Sequence, residues 1–313
     1  MVKIRTILIS LVIISCSQQE FYYQRFILGG PCEVKFYTTD KRSGDNALKE
    51  IDQELKYLDS LLNFFSENSL VSAINKNHKA RLDNTMLYLF KLCDSIAGLT
   101  DGLFDISIAP LVEIWGFYGG EKRVPEEEEI RRAKRLVDYR KISLKGDSIF
   151  IPKDMKIDLS GIAQGFAADR VAEILKRYNI KSGIINIGGE VYGLGNSPKN
   201  RPWVVGIKNP RGGGVIEKIG ISDWALATSG DYEKFFVING IRYNHILNPK
   251  TGFPAEEFAS VTVIAKNAAF ADGIATAVAA MGAKRGIKFL DSLEIKGIIY
   301  YEENGELKRL ESR

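Results

Sequence analysis

From Ile142 onward the chain crowds short β-type runs together with few helices between them, and that spacing limits what it can fold into. SGIINI, WVVGIK, VIEKIGIS, KFFVIN, SVTVIA and IKGIIYY are short, apolar or alternating, and rich in β-branched or aromatic residues. Helical patterns interrupt them only at about Gly161–Tyr178, Phe270–Met281 and Lys284–Leu290. A doubly wound sheet needs a crossover, usually a helix, between parallel strands. Here strands follow one another without regular βα alternation. The expected class is therefore α+β, a mixed α/β core, and not a Rossmann sheet. No internal repeat, Pro-rich linker or low-complexity segment divides the chain, so one compact domain over residues 25–313 is expected.

The N-terminal half adds helices to this sheet. EVKFYT (Glu33 to Thr38) alternates as a strand does. Leu48, Ile51, Leu55, Leu58, Leu62 and Phe65 then recur at helical spacing, with Asp45 or Asn46 as candidate cap. A second helix spans about Thr85 to Ala97 and stops near Gly98. Pro125 followed by EEEEIRRAKR predicts a third. Its acids come first and its bases last, which suits the helix dipole, and Glu127/Arg131 and Glu128/Arg132 sit one turn apart on a solvated face.

Met1 to Ser15 stands apart from this pattern. A basic head (Lys3, Arg5) precedes an apolar run, Ile7 to Ile14, about half as long as a bilayer span requires. Ile13-Ile14-Ser15-Cys16 resembles a bacterial lipobox. The expectation is a signal peptide at residues 1–15, lipidation at Cys16 and a tether over residues 16–24. That places the protein outside the cytoplasm, membrane-anchored, on the periplasmic side in a Gram-negative cell. The net charge is only +4, and loss of Lys3 and Arg5 would halve it, so composition points to no nucleic-acid partner. Of the 3 cysteines, Cys32 and Cys93 would remain. An oxidising compartment would permit them to pair. Sequence supplies no proximity, so two separate buried thiols are expected.

Several chemistries are excluded outright. There are 2 histidines, His78 and His245, so a multi-histidine metal centre cannot form. No CxxC, HExxH, GxxxxGK[ST] or GxSxG motif occurs. His78, in the polar NKNHKA loop, is expected to face solvent.

The remaining candidates are ambiguous when taken singly. Gly188-Gly189-Glu190, with Gly193 and Gly195, is either a tight hairpin or a backbone that a flat or phosphorylated ligand can approach. Asp158 to Gly165 (DLSGIAQG) joins a strand to a helix, giving an anion site at the helix N-terminus or an ordinary N-cap at Ser160. Asp101 and Asp105 in TDGLFD suit caps, and Trp115-Gly116-Phe117 suits a core. Asp272 and Thr276 lie four apart on a helix face, where two hard oxygens would suit Mg²⁺ bridging to phosphates. His245, in RYNHILNPKTG, is a candidate base, a donor to phosphate, or a structural histidine.

Taken in order, TDGLFDISIAPLVEIWGF, IDLSGIAQGFAADR, INIGGEVYGLG, LATSGDYEKFF, YNHILNPKTG and ADGIATAVAAMG resemble the ApbE family of FAD:protein FMN transferases, from about Leu28 to about Leu290. The resemblance implies a T-fold-related, non-Rossmann architecture with FAD as substrate and Mg²⁺ as cofactor. It implies transfer of FMN to a Ser or Thr hydroxyl of an acceptor protein, an extracytoplasmic redox-pump or electron-transfer subunit, with release of AMP. The alternatives within that resemblance are an FAD pyrophosphatase and a non-catalytic FAD-binding lipoprotein.

Carried over by position, Asp272, Thr276 and the Gly161 carbonyl match the metal ligands, and His245 and Asp272 the catalytic residues. Leu28, Phe65, Leu103, Phe104, Asp105, Asp158, Gln164, His245 and Ile246 match the FAD contacts. LGG stands for the family's usual MGT at Leu28 to Gly30, Leu103 for Ala, Phe65 for a frequent Tyr, Gln164 for Lys or Glu, and Glu190 for Asp.

Overall fold

A computed structural model describes residues 18–313. The expected leader at Met1 to Ser15 and the expected lipidation site Cys16 lie outside the described residues. The strands β1 (Gln19–Ile27) and β2 (Gly30–Thr38) form an antiparallel hairpin. β1 therefore occupies most of the stretch expected as a tether. As an edge strand it is largely exposed and carries little apolar alternation, which hid it in the sequence. In α1 (Lys41–Leu62) the buried Ile51, Leu55, Leu58 and Leu62 are the expected stripe. Its cap is Asp40, not Asp45 or Asn46: the Asp40 carboxylate accepts from the Arg42 N–H at 3.0 Å. The helix ends at Leu62, so Phe65 lies beyond it and is 68% exposed.

The helix α2 (Leu70–Asn77) closes at His78, whose φ is 59°. The side chain of His78 is half-buried, not solvent-facing, because the chain turns at once into β3 (Lys79–Arg81). Helices α3 (Asn84–Leu99), α4 (Ala109–Ile114) and α5 (Glu127–Lys134) follow. In α5 Glu129 is taken by Arg123 (2.6 Å) and by the Glu126 N–H, and Arg131 pairs with Glu128 (2.8 Å). Those partners replace the Glu127/Arg131 and Glu128/Arg132 pairs that spacing suggested. Short strands β4 (Ser143–Lys145) and β5 (Ser148–Phe150) complete a small sheet with β3.

The C-terminal half supplies α6 (Ser160–Arg177), β6 (Ser182–Ile187), β7 (Glu190–Leu194), β8 (Trp203–Lys208), β9 (Val215–Ile221) and β10 (Trp224–Gly230). It continues with β11 (Phe235–Ile238), β12 (Ile241–Asn244), β13 (Ser260–Ala265), α7 (Ala268–Met281), α8 (Ala283–Ser292), β14 (Lys296–Glu303) and β15 (Glu306–Glu311). Eight strands form one sheet in the order β1-β2-β6-β7-β10-β13-β14-β15. Every neighbouring pair in it is antiparallel. The expected α+β, non-Rossmann class is what the chain adopts. WVVGIK and VIEKIGIS pair with each other instead of joining this sheet. Their Val205, Ile207 and Ile221 cover one face of it, against Val191, Leu226, Ile298 and Tyr300. Helices pack the other face in the main core. Cys32 on β2 and Cys93 on α3 are buried and, among the described residues, free, as expected.

At the centre of that core α6 meets α7. The α7 sequence AAFADGIATAVAAM is almost entirely small, and nearly all of it is buried. The closest approach is at Gly165, where a Cβ would stand 2.4 Å from the Ala268 carbonyl oxygen and 2.8 Å from Asp272 Cβ. The Asp169 carboxylate of α6 then accepts the Ala268 (2.7 Å) and Ala269 (2.8 Å) N–H groups, capping α7 across the interface. Among the described residues no helix is long and apolar enough to cross a membrane. Gly165→Ala is expected to force these helices apart at a cost of about 1–3 kcal/mol in chemical denaturation. A stability equal to wild type would show that the approach is not tight.

Candidate active site

The α6 N-terminus, the β1–β2 and β6–β7 turns, one flank of α7 and the loop after β12 surround a cleft of about 1100 Å³. That is at the upper end for a small-molecule site. Leu28, Phe65, Leu103, Phe104, Asp105, Asp158, Gly161, Gln164, His245, Ile246, Asp272 and Thr276 all line it. Residues spread over most of the chain are thus brought to one place. Cys16 lies outside the described residues.

Two acids of the cleft wall, Asp158 and Asp105, are largely engaged by the protein itself. Asp158 accepts the Ser160 N–H (2.8 Å), the Ser160 hydroxyl (2.9 Å) and the Tyr118 hydroxyl (2.6 Å). Leu159 holds the N-cap position and Ser160 is the first residue of α6, so Asp158 rather than Ser160 serves that end. Asp105 accepts the Ser107 N–H (2.8 Å), the Ser107 hydroxyl (2.6 Å) and the Tyr139 N–H (2.9 Å). Burial raises its carboxyl above the ordinary range despite those bonds. Phe64 stacks on Tyr118 at 4.1 Å, and Phe65 meets both edge-on, making an aromatic corner. Trp115 is fully buried and donates to the Gly252 carbonyl at 2.9 Å, so the Trp of WGF is core, as expected, whereas Phe117 is half-buried and lines the cleft.

Leu28 is held by its backbone. At a φ of 51° its N–H donates to Asp59 (3.2 Å) and its carbonyl accepts from Gln164 Nε2 (3.1 Å). The Gln164 amide in turn lies against Gly188, where φ is +66° and a Cβ would stand 2.2 Å from it. The glycine of GGE is required by this approach of a side chain.

Across the cleft floor, α6 and α7 present oxygens. Thr276 Oγ1 donates to the Gly161 carbonyl at 3.5 Å, a long contact that another ligand could displace. The Gly165 N–H, which a regular helix directs at that same carbonyl, also reaches Asp272 Oδ2 at 3.0 Å. Burial pushes the Asp272 carboxyl up to about 7. Hydroxyl, carbonyl and carboxylate form an all-oxygen donor set, and among the described residues the buried carboxylate has no basic partner. A hard divalent cation such as Mg²⁺ fits those donors. Among the described residues no group of three or more His, Cys, Asp or Glu forms a metal cluster, so Thr276 and the Gly161 carbonyl would have to complete the site.

His245 faces the cleft from a loop pinned on both sides. Asn244 donates to the Ala255 carbonyl (2.8 Å) and accepts from the Ile246 N–H (3.0 Å), and Asn248 donates to the Ala280 carbonyl (3.0 Å). His245 Nδ1 is 3.2 Å from the Lys234 carbonyl. A carbonyl only accepts, so Nδ1 carries the hydrogen and Nε2 keeps its lone pair. Desolvation, then the Lys234 charge, lowers the pKa to about 4. The ring is therefore neutral near pH 7, suited to take a proton rather than to bind phosphate as a cation.

Sequence reading missed Asp59, Tyr118 and the role of Glu190. Asp59 is hidden as a polar position on the α1 stripe, Tyr118 directly follows WGF, and Glu190 stands within GGE.

The ApbE family model matches residues 28–299. An FAD:protein FMN transferase of Vibrio cholerae is 32% identical over 274 residues, 84% of this chain and 81% of that protein. One from Haemophilus influenzae is 32% identical over 77% of this chain and 74% of its own. The solved ApbE protein of Thermotoga maritima superposes with a TM-score of 0.85 at 34% identity, over 93% of this chain and 97% of that one. The flavinyl transferase ApbE of Pseudomonas stutzeri gives 0.87 at 27% identity, over 95% of each. The chain belongs to the ApbE family and is an enzyme of it.

Proposed function

We propose that this chain moves FMN from FAD onto a Ser or Thr hydroxyl of an acceptor protein, releasing AMP, as an exported protein anchored through lipid on Cys16. The relatives' name, FAD:protein FMN transferase, supports the overall reaction. The observation that carries the chemistry is a neutral His245 in the same cleft as the Gly161, Asp272 and Thr276 oxygens. Bound by those oxygens, Mg²⁺ would offset charge on the pyrophosphate and on the leaving phosphate.

The chain's own residues do the rest. Lys234 lines the cleft with Arg25, Lys56 and Lys208, which pair with Asp52 and Glu233 and would be available to an anionic dinucleotide. The Phe64, Phe65 and Tyr118 corner offers faces and edges to a flat ring. His245 Nε2 takes the proton as the acceptor oxygen bonds to the FMN-side phosphorus. The bond from that phosphorus to the bridging oxygen breaks, and AMP departs with the electron pair. Water in place of the acceptor would give FMN and AMP. The acceptor's own chemistry is that of an extracytoplasmic redox-pump or electron-transfer subunit.

Purified protein mixed with FAD, Mg²⁺ and a Ser/Thr-bearing acceptor is expected to yield AMP and a covalently fluorescent acceptor. AMP with free FMN alone would mean a pyrophosphatase, and bound FAD without AMP a binding protein. Asp272→Ala is expected to abolish AMP release, and full activity at low Mg²⁺ would sink its assignment as a cation ligand. His245→Ala should slow transfer about 10²–10⁴-fold. Because His245 titrates near 4, below the free-imidazole value of 6.5, the base form persists as pH falls through 6.5. The acid limb of the wild-type rate is therefore expected between about pH 4 and 5, and a limb centred at 6.5 would remove His245 as the base. Cys16→Ala should shift the protein from the membrane to the soluble extracytoplasmic fraction; unchanged membrane retention would refute lipid anchoring there.

A further inference from the structure

One buried acid has no role in the site as assembled so far. Glu190 opens β7 directly after the Gly188-Gly189 turn. Tyr192 and Leu194, two and four residues on, share its side of the strand and belong to the core that α6 and α7 fill. The Glu190 side chain is therefore on the side of the sheet where Gly161, Asp272 and Thr276 stand, and it lines the same cleft. It is 6% exposed, and Oε2 is sealed with no hydrogen-bond partner among the described residues. Neither does Glu190 make an ion pair among the described residues. The charge acting most strongly on it is of its own sign, the Asp272 carboxylate. Buried carboxylates are ordinarily paired, hydrogen-bonded or bound to metal, since leaving one bare costs several kcal/mol. Arg170 and Arg211, which neutralise Glu54 and Asp231 elsewhere, have no counterpart at Glu190.

We propose that Glu190 is a second carboxylate ligand of the divalent cation held by Gly161, Asp272 and Thr276. This rests on the cation reading given above. Two carboxylates balance a dipositive ion, and with one hydroxyl and one carbonyl they leave octahedral positions for water and phosphate oxygens. The arrangement accounts for an acid that is buried, lies under the influence of another acid, and keeps one oxygen sealed without a partner although a Thr228 backbone group serves the carboxylate. It also gives the GGE turn a second purpose, because Gly188 admits Gln164 while Glu190, two residues on, reaches the cleft floor.

The test uses FAD-free protein, residues 16–313, stripped with a chelator, with Mn²⁺ as the probe. Free Mn²⁺ is read by electron paramagnetic resonance, and thermal melts are run with and without Mn²⁺. Wild type is expected to bind one Mn²⁺. Glu190→Gln keeps shape and removes charge. It should weaken Mn²⁺ at least tenfold and shrink the rise in melting temperature that Mn²⁺ produces. Glu190→Asp keeps the charge at shorter reach and should fall between the two. Wild-type Mn²⁺ affinity in Glu190→Gln would overturn the proposal. So would a lower metal-free melting temperature with unchanged Mn²⁺ stabilisation in either variant, the mark of a merely structural acid. If wild type itself binds no Mn²⁺, the cation reading fails first and this proposal with it.

Discussion

The contact between α6 and α7 at Gly165 sets the distances on which the site depends. With no side chain at that position, the Ala268 carbonyl and Asp272 can stand against the α6 backbone. The same approach lets the Gly165 N–H reach Asp272 and Asp169 cap the first amides of α7. The Gly161 carbonyl and the Thr276 hydroxyl are then brought face to face from two helices. Small residues along α7 are needed for this, since a bulky helix would hold the two axes farther apart.

Charge is distributed unevenly around that crossing. Asp169, Asp272 and Glu190 are all buried, and burial raises each carboxyl, Asp169 to about 6 even with two backbone donors. Lysines and an arginine lie along the same cleft. Those bases stand over a floor that is itself acidic. The divalent cation proposed above would reconcile an acidic floor with an anionic ligand, as oxygen-ligated sites do in phosphate chemistry.

The histidine side of the cleft depends on a second, smaller core. Trp115 packs with Leu111, Ile130 and Leu247, and its indole holds the Gly252 carbonyl. That fixes the turn following His245, while the Lys234 carbonyl fixes the tautomer. Trp115 therefore helps hold the loop that carries His245, about 130 residues later, without a hydrogen bond to the histidine itself.

Much was legible in the sequence because periodicity and order are local properties. The stripe from Ile51 to Leu62, the absence of βα alternation and the helical pair Asp272 and Thr276 could be read residue by residue. The ordered motifs resembling the ApbE family named the cleft residues before any geometry was known. The caps at Asp40 and Asp158, the edge strand β1 and the half-buried His78 were missed, because each depends on what the chain meets after it turns. Tertiary structure alone decided that Asp59 and Gln164 clamp Leu28, that Tyr118 braces Asp158, and that Glu190 is buried within reach of the Asp272 charge with Oε2 unpartnered. Those are long-range pairings, and hydrogen bonding and burial across them are set by how the sheet and helices pack, which no spacing along the chain encodes.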